Sequence, residues 1–195
     1  MPDGKAAVCK TVLSRFNSYQ LDKVKKIFEG IKVYYSGSIK GMPEADPEFP
    51  KKLVKYMIEN GAEVLSEHVA GRDQQECDEM MVKKIGITIE EFKAEKEPWF
   101  RVRKLDIEWV DEADCVVALV NSPSLGVGME LQRALDKEKL GMKKTPILCL
   151  VRDDIKEKLS FMVSGINKNE SDVFYLRSYK DLDEAKKHIS IFLKK

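Results

Sequence analysis

Residues 115–130 read CVVALVNSPSLGVGME, from Cys115 to Glu130. The first six are uncharged, apolar and valine-rich, the pattern of a strand buried on both faces. Asn121, Ser122, Pro123 and Ser124 interrupt that run, and the apolar spacing beyond them predicts a helix over 127–139. The same rhythm continues on either side. Upstream, strands are expected over 31–36 and 62–66, separated by a helix over 47–60 that Gly61 ends as a C-terminal glycine cap. Downstream, strands over 146–151 and 173–176 alternate with helices over 155–164 and 181–193. The last helix puts Leu182, Ala185, Ile189 and Phe192 on its inner face. Five strands alternating with helices predict a single-domain α/β fold. It is a doubly wound, flavodoxin-like or Rossmann-like parallel sheet with strand order 2-1-3-4-5.

Two segments stand outside that frame. Residues 1–30 read as an N-terminal helical extension, with Leu21, Val24, Ile27 and Phe28 on one face and Gly30 as its end. Residues 31–195 form the domain proper. Within it, 72–103 is a long charged insertion, read as lid-like. A helix is expected over 75–84, and Thr88 with Glu91 has the spacing of a capping box. Trp99 and Phe100 are candidates to cover a ligand. A helix over 105–112 then leads into the third strand.

Composition narrows the function. The 195 residues are 43% hydrophobic, enough for a packed core. Lys and Arg total 34 against 33 Asp and Glu, a net charge of +1. That balance argues against a dedicated binder of nucleic-acid polymers but leaves room for a small anionic ligand. The four cysteines, Cys9, Cys77, Cys115 and Cys149, form no C-x-x-C pair, and there are only two histidines. No metal site and no cofactor are expected. Cys115 and Cys149 read as small buried hydrophobes of a reducing compartment. No run approaches the roughly 20 apolar residues of a membrane span. The expected location is cytoplasmic, or also nuclear, with no membrane partner.

In this strand order a ligand binds beyond the carboxyl ends of strands 1 and 3. The loop after strand 1, residues 36–41, mixes glycines and hydroxyls with Lys40 and suits an anion such as phosphate. The loop after strand 3 holds Gly126 and Gly128, where backbone can approach a ligand. Glu130 is expected in the first turn of the following helix, where the positive end of the dipole favours an ionised carboxylate. Asp106 is expected near the start of the helix before strand 3, facing Glu130. Two carboxyls roughly 5–5.5 Å apart are the equipment of a retaining glycosidase. Spacing alone leaves Glu108, Asp111, Glu112 and Asp114 open beside Asp106.

Together these segments resemble the nucleoside 2-deoxyribosyltransferase superfamily, in its 2'-deoxynucleoside 5'-phosphate N-hydrolase branch. The resemblance is carried by residues 34–41 (YYSGSIKG), 67–70 (EHVA), 106–109 (DIEW), Ala113-Asp114 and 123–130 (PSLGVGME). It runs from about Val33 to the C-terminus, fails over 1–30 and is poor over 72–103. It implies cleavage of the N-glycosidic bond of a deoxynucleoside monophosphate. Glu130 would be the nucleophile at C1', Asp106 the acid and then base, and Tyr34 the residue beside the sugar and both carboxylates. Gly37, Ser38, Ile39, Lys40 and Ser124 would hold the 5'-phosphate, with Gly126 beside them. It further implies a homodimer in which Ser160 and Met162 of a neighbouring subunit complete each site. His68 is placed for a contact to the base, or simply ends the second strand. Two positions depart from the family pattern: Lys40 stands where arginine is usual, and Met129 replaces a common tyrosine. Transfer of deoxyribose between free bases, hydrolysis of ribonucleotides such as CMP, and nucleotide sensing without turnover are the rival readings.

Overall fold

The structure is a computed structural model that describes residues 26–39 and 46–194. Its sheet contains β1 (Lys32–Gly37), β2 (Glu63–Val64), β3 (Cys115–Leu119), β4 (Ile147–Arg152) and β5 (Phe174–Tyr179). All pairings are parallel and the order is β2-β1-β3-β4-β5, as the sequence implies. The helices are α1 (Phe49–Glu59), α2 (Gln74–Ile85), α3 (Ile89–Ala94), α4 (Pro98–Glu112), α5 (Leu125–Asp136), α6 (Phe161–Ser164) and α7 (Leu182–Leu193).

Alternation along the strands sends neighbouring side chains into two separate cores. Val33, Tyr35, Val117, Leu119, Leu148 and Leu150 pack under α1 and α7. Tyr34, Val116, Ala118, Cys149 and Val151 pack under α4 and α5. Phe28 is fully buried in the first core, and Gly30 turns the chain into β1 with a left-handed φ of 81°. Residues 27–30 form a turn and not the end of a helix, and the rest of the expected N-terminal helix lies outside the described residues, as does Cys9. No helix among the described residues is long and apolar enough to cross a membrane.

Several boundaries differ from the sequence reading. β2 is two residues long instead of five, because Ser66 takes over the edge with its side chain. Its Oγ accepts from the Tyr35 N–H at 2.8 Å and donates to the Tyr35 carbonyl at 2.7 Å. The helix expected over 155–164 is split into a 3₁₀ turn, Lys156–Lys158, and α6, with Ser160 as the cap between them. β5 continues to Tyr179, three residues beyond expectation.

Residues 72–103 fold into α2, α3 and the first turns of α4. Their own cluster of Met81, Val82 and Phe92 packs with Ile87, Ile89 and Val102. The capping box is formed: Thr88 Oγ1 accepts from the Glu91 N–H at 3.1 Å, and a Glu91 carboxylate oxygen accepts from the Thr88 N–H at 2.7 Å.

Candidate active site

Two helix starts decide where the carboxylates stand. α4 begins at Pro98, a residue suited to the first helical turn. Asp106 is therefore in the third turn and not near the helix start. α5 begins at Leu125 with Ser124 as its cap, so Glu130 falls in the second turn and not the first. The helix dipole fades within one turn. Direct hydrogen bonds, not the dipole, oppose protonation of Glu130.

Tyr34 and Ser36 are two residues apart on β1 and project to the same face, toward α4 and α5. The Tyr34 hydroxyl donates to Asp106 Oδ1 at 3.3 Å. The Ser36 hydroxyl donates to Glu130 Oε2. Burial holds the pKa of Glu130 above the ordinary glutamate range, with hydrogen bonds from Ser36 and Tyr34 opposing. Asp106 is pushed up to about 7, first by burial and then by the charge of Glu130, with the Tyr34 hydrogen bond opposing. Tyr34 is completely buried, and burial beside two carboxylates raises its pKa well above the ordinary tyrosine range. Asp106 is thus placed to carry a proton near neutral pH, while Glu130 has two hydroxyl donors that favour its ionised form against burial. Ser36 was not a sequence candidate. Its place two residues after Tyr34 on one strand face was the signal available.

The other acidic residues near Asp106 are engaged elsewhere. Arg133 Nε and Nη2 donate to Asp111 at 2.8 and 2.6 Å, tying α5 to α4. Glu112 pairs with Lys32, Asp114 with Lys143, and Glu108 with Lys104. Lys137 is buried and donates to the carbonyls of Val110 and Ala113 at 3.0 and 3.1 Å, which closes the C-terminus of α4. The helix bearing Asp106 and the helix bearing Glu130 are thus fixed to each other.

Asp106 and Glu130 line a cavity of about 280 Å³ together with Gly37, Ser38, Ile39, Ser124, Gly126 and His68. Ser124 caps α5, and this helix start gives the cavity one electropositive wall. Gly126 and Gly128 are helical, not loop residues. A Cβ on Gly126 would make ordinary contact with Glu130 Oε1, at 3.9 Å. Lys40 lies outside the described residues. His68 is buried, and burial followed by the charge of Lys84 lowers its pKa to about 4, so it is neutral. Its Nδ1 has no hydrogen-bond partner among the described residues. Trp99 lines an adjoining cavity, whereas Phe100 lines neither. Met129 is half exposed and borders that second cavity.

Ser160 and Met162 do not reach this chain's own carboxylates. They line a separate groove of about 550 Å³ beyond Ser124. Around it Leu125, Phe161 and Met162 are 90%, 89% and 81% exposed. Among the described residues no three His, Cys, Asp or Glu side chains converge to hold a metal ion.

No protein-family model matches the chain. A Nematostella vectensis protein named as a 2'-deoxynucleoside 5'-phosphate N-hydrolase is 34% identical over 152 residues, 78% of this chain and 87% of the relative. The 5-hydroxymethyl-dUMP N-hydrolase of Tetraodon nigroviridis is 34% identical over 149 residues, 76% of this chain and 88% of that one. In solved structures, the CMP N-glycosidase of Clostridium botulinum has the same fold. Its TM-score is 0.50 at 18% identity, over 83% of this chain and 98% of the other. Fold and relatives define an enzyme of the N-glycosyl hydrolase class. The chain belongs to the 2'-deoxynucleoside 5'-phosphate N-hydrolase family.

Proposed function

We propose that this protein hydrolyses 2'-deoxynucleoside 5'-monophosphates to the free base and 2-deoxyribose 5-phosphate. The observation that carries the reading is the divided carboxylate pair. Asp106 holds a proton near neutrality, Glu130 is held by two hydroxyl donors, and Tyr34 stands between them.

The steps balance as follows. A Glu130 oxygen attacks C1' as the C1'–N bond breaks, and Asp106 passes its proton to the departing base nitrogen. The product is a glycosyl ester on Glu130. Asp106, now a carboxylate, takes a proton from water as that water attacks C1' and releases Glu130. A 2-deoxy sugar lacks the electron-withdrawing 2'-hydroxyl, so its oxocarbenium-like transition state is reached more easily. The Glu130 charge stabilises it further.

The 5'-phosphate is assigned to Gly37, Ser38, Ile39, Ser124 and Gly126, beside the start of α5, with Lys40 as its cation. Neutral His68 faces the base. The transferase alternative has no use for such an anion cradle. The groove at Ser160 and Met162 is assigned to a second copy of the chain. An exposed apolar rim around a cap serine suits a homodimer in which these two residues enter the partner's site. Buried free thiols at Cys77, Cys115 and Cys149 accord with work in the cytoplasm or nucleus.

The test is chromatographic detection of free base from a panel of deoxynucleoside monophosphates and unphosphorylated deoxynucleosides, for wild type and Glu130→Ala. Release from the monophosphates alone, lost in the variant, is the expected result. Release only on addition of an acceptor base would make the protein a transferase. Faster cleavage of GMP or CMP than of dGMP would remove the deoxy preference.

A further inference from the structure

The catalytic cleft has two lobes. Beyond the inner cavity lies an outer one of about 480 Å³, bounded by Phe92, Pro98, Trp99, Arg103 and Met129. Gln74, Asp78, Val102, Asp106, Gly126 and Glu130 line both. The two carboxylates therefore stand at the junction. With phosphate at Ser38 and Ser124, and C1' at Glu130, the base extends past Asp106 toward α2 and the first turn of α4.

That side of the cleft is built for a planar, polar ligand. Trp99 leaves 60% of its surface exposed at the rim, beside the tilted ring of Phe100, and offers an aromatic surface for stacking. The Met81–Phe92 cluster braces α2, α3 and α4 behind it, so the wall is scaffolded and not a loose loop. Gln74 and Asp78 are one turn apart on α2, and Gln74 Nε2 donates to Asp78 Oδ1 at 2.8 Å. Glu76 is taken by Lys51 and Arg72, and Arg103 on α4 is the cation that shares the outer cavity with Asp78. Among the described residues, Asp78 has no ion pair. Its carboxylate meets the cleft with accepting capacity left over, oriented by Gln74.

Resting on the function proposed above, we infer that Asp78, positioned by Gln74, is the residue that selects the base. A carboxylate only accepts hydrogen bonds. It favours a base edge bearing N–H donors, best two adjacent ones, and disfavours an edge that turns a carbonyl toward it. The favoured class is the amino-substituted base, with a 2-amino-6-oxopurine as the best geometric match.

dGMP and dIMP differ only by that amino group and form the test. Wild type is expected to cleave dGMP with kcat/KM at least about tenfold above dIMP, the scale of one hydrogen bond to a charged acceptor. Asp78→Asn turns an amide donor toward the base, and the ratio is expected to fall to within about twofold through loss on dGMP. Gln74→Leu is expected to narrow the ratio in the same direction. A merely structural role for Asp78 would lower both substrates together. A wild-type ratio near one, or a ratio unchanged in Asp78→Asn, overturns the inference while leaving the N-hydrolase intact. Absence of base release from every monophosphate would instead overturn the function on which it rests.

Discussion

Tyr34 donates its hydroxyl to Asp106 at 3.3 Å while facing Glu130 as well, so two carboxylates compete for one proton donor. Hydrogen bonds from Ser36 and Tyr34 both favour the ionised form of Glu130, whereas Asp106 has Tyr34 alone and is raised further by the charge of Glu130. This asymmetry supports the proposal of Asp106 as the acid and Glu130 as the nucleophile.

The first prediction concerns pH. Asp106 acts as an acid only while protonated, and its pKa is about 7. The kcat/KM should therefore fall tenfold per unit above about pH 7, and fall again at low pH as Glu130 protonates. Asp106→Asn should lose about 10²–10⁴-fold in rate and show no alkaline limb. Stability carries the same signature with a fixed sign. A carboxyl whose folded pKa is raised binds its proton more tightly when folded, so its contribution is complete below about pH 4 and is lost as pH rises toward 7. Asp106→Asn should thus raise the melting temperature at pH 8 more than at pH 4. Equal shifts at both pH values would contradict a raised Asp106 pKa.

A second prediction follows from Ser36. Removing a donor to a carboxylate raises its pKa. Ser36→Ala should move the acidic limb of the kcat/KM profile upward and leave the alkaline limb, set by Asp106, in place. The maximal rate should drop about tenfold, the scale of one charge-assisted hydrogen bond. A pH–rate profile from pH 4 to 9 checks both. Movement of the alkaline limb alone would mean that Ser36 does not serve Glu130.

The reach of the sequence reading has a physical explanation. Strand order was legible because parallel strands buried on both faces leave unbroken apolar runs, as over 115–120. Asp106 and Glu130 were legible because the motif around 123–130 and the Asp106–Trp109 segment are specific strings. Helix starts were not. The helices begin at Leu125 and Pro98, two and seven residues before the apolar periodicity becomes visible. Those starts set Glu130 in the second turn and Asp106 in the third, away from the helix ends. Ser66 hid the shortness of β2 because its side-chain bonds continue what a strand backbone would have done. Ser36 was hidden by its type, since a serine in a strand announces nothing until its facing partner is known.

The third prediction is structural. Lys137 is 1% exposed and fills the end of α4 with its two carbonyl bonds. Lys137→Met keeps the aliphatic stem but strands the Val110 and Ala113 carbonyls. Leaving buried acceptors unmet should cost about 2 kcal/mol, read from the urea midpoint at constant m-value. A midpoint equal to wild type would show that water satisfies those carbonyls instead.

The fourth prediction tests the second subunit. Ser160 and Met162 lie beyond Ser124 from their own carboxylates, on a rim where Leu125 and Phe161 are almost fully exposed. If they serve a partner's site, each active site draws Glu130 from one chain and Ser160 and Met162 from the other. Glu130→Ala and the double variant Ser160→Ala, Met162→Ala should then both be inactive alone. Mixed under conditions of subunit exchange, half of the dimers are heterodimers. In each of these, one site combines two intact halves and the other combines two damaged ones. Activity should recover to about a quarter of wild type, the value fixed by twofold symmetry. Phe161→Glu in both partners should abolish the recovery and halve the mass measured by light scattering. Failure to recover in a sample that remains dimeric would return Ser160 and Met162 to their own chain as surface residues.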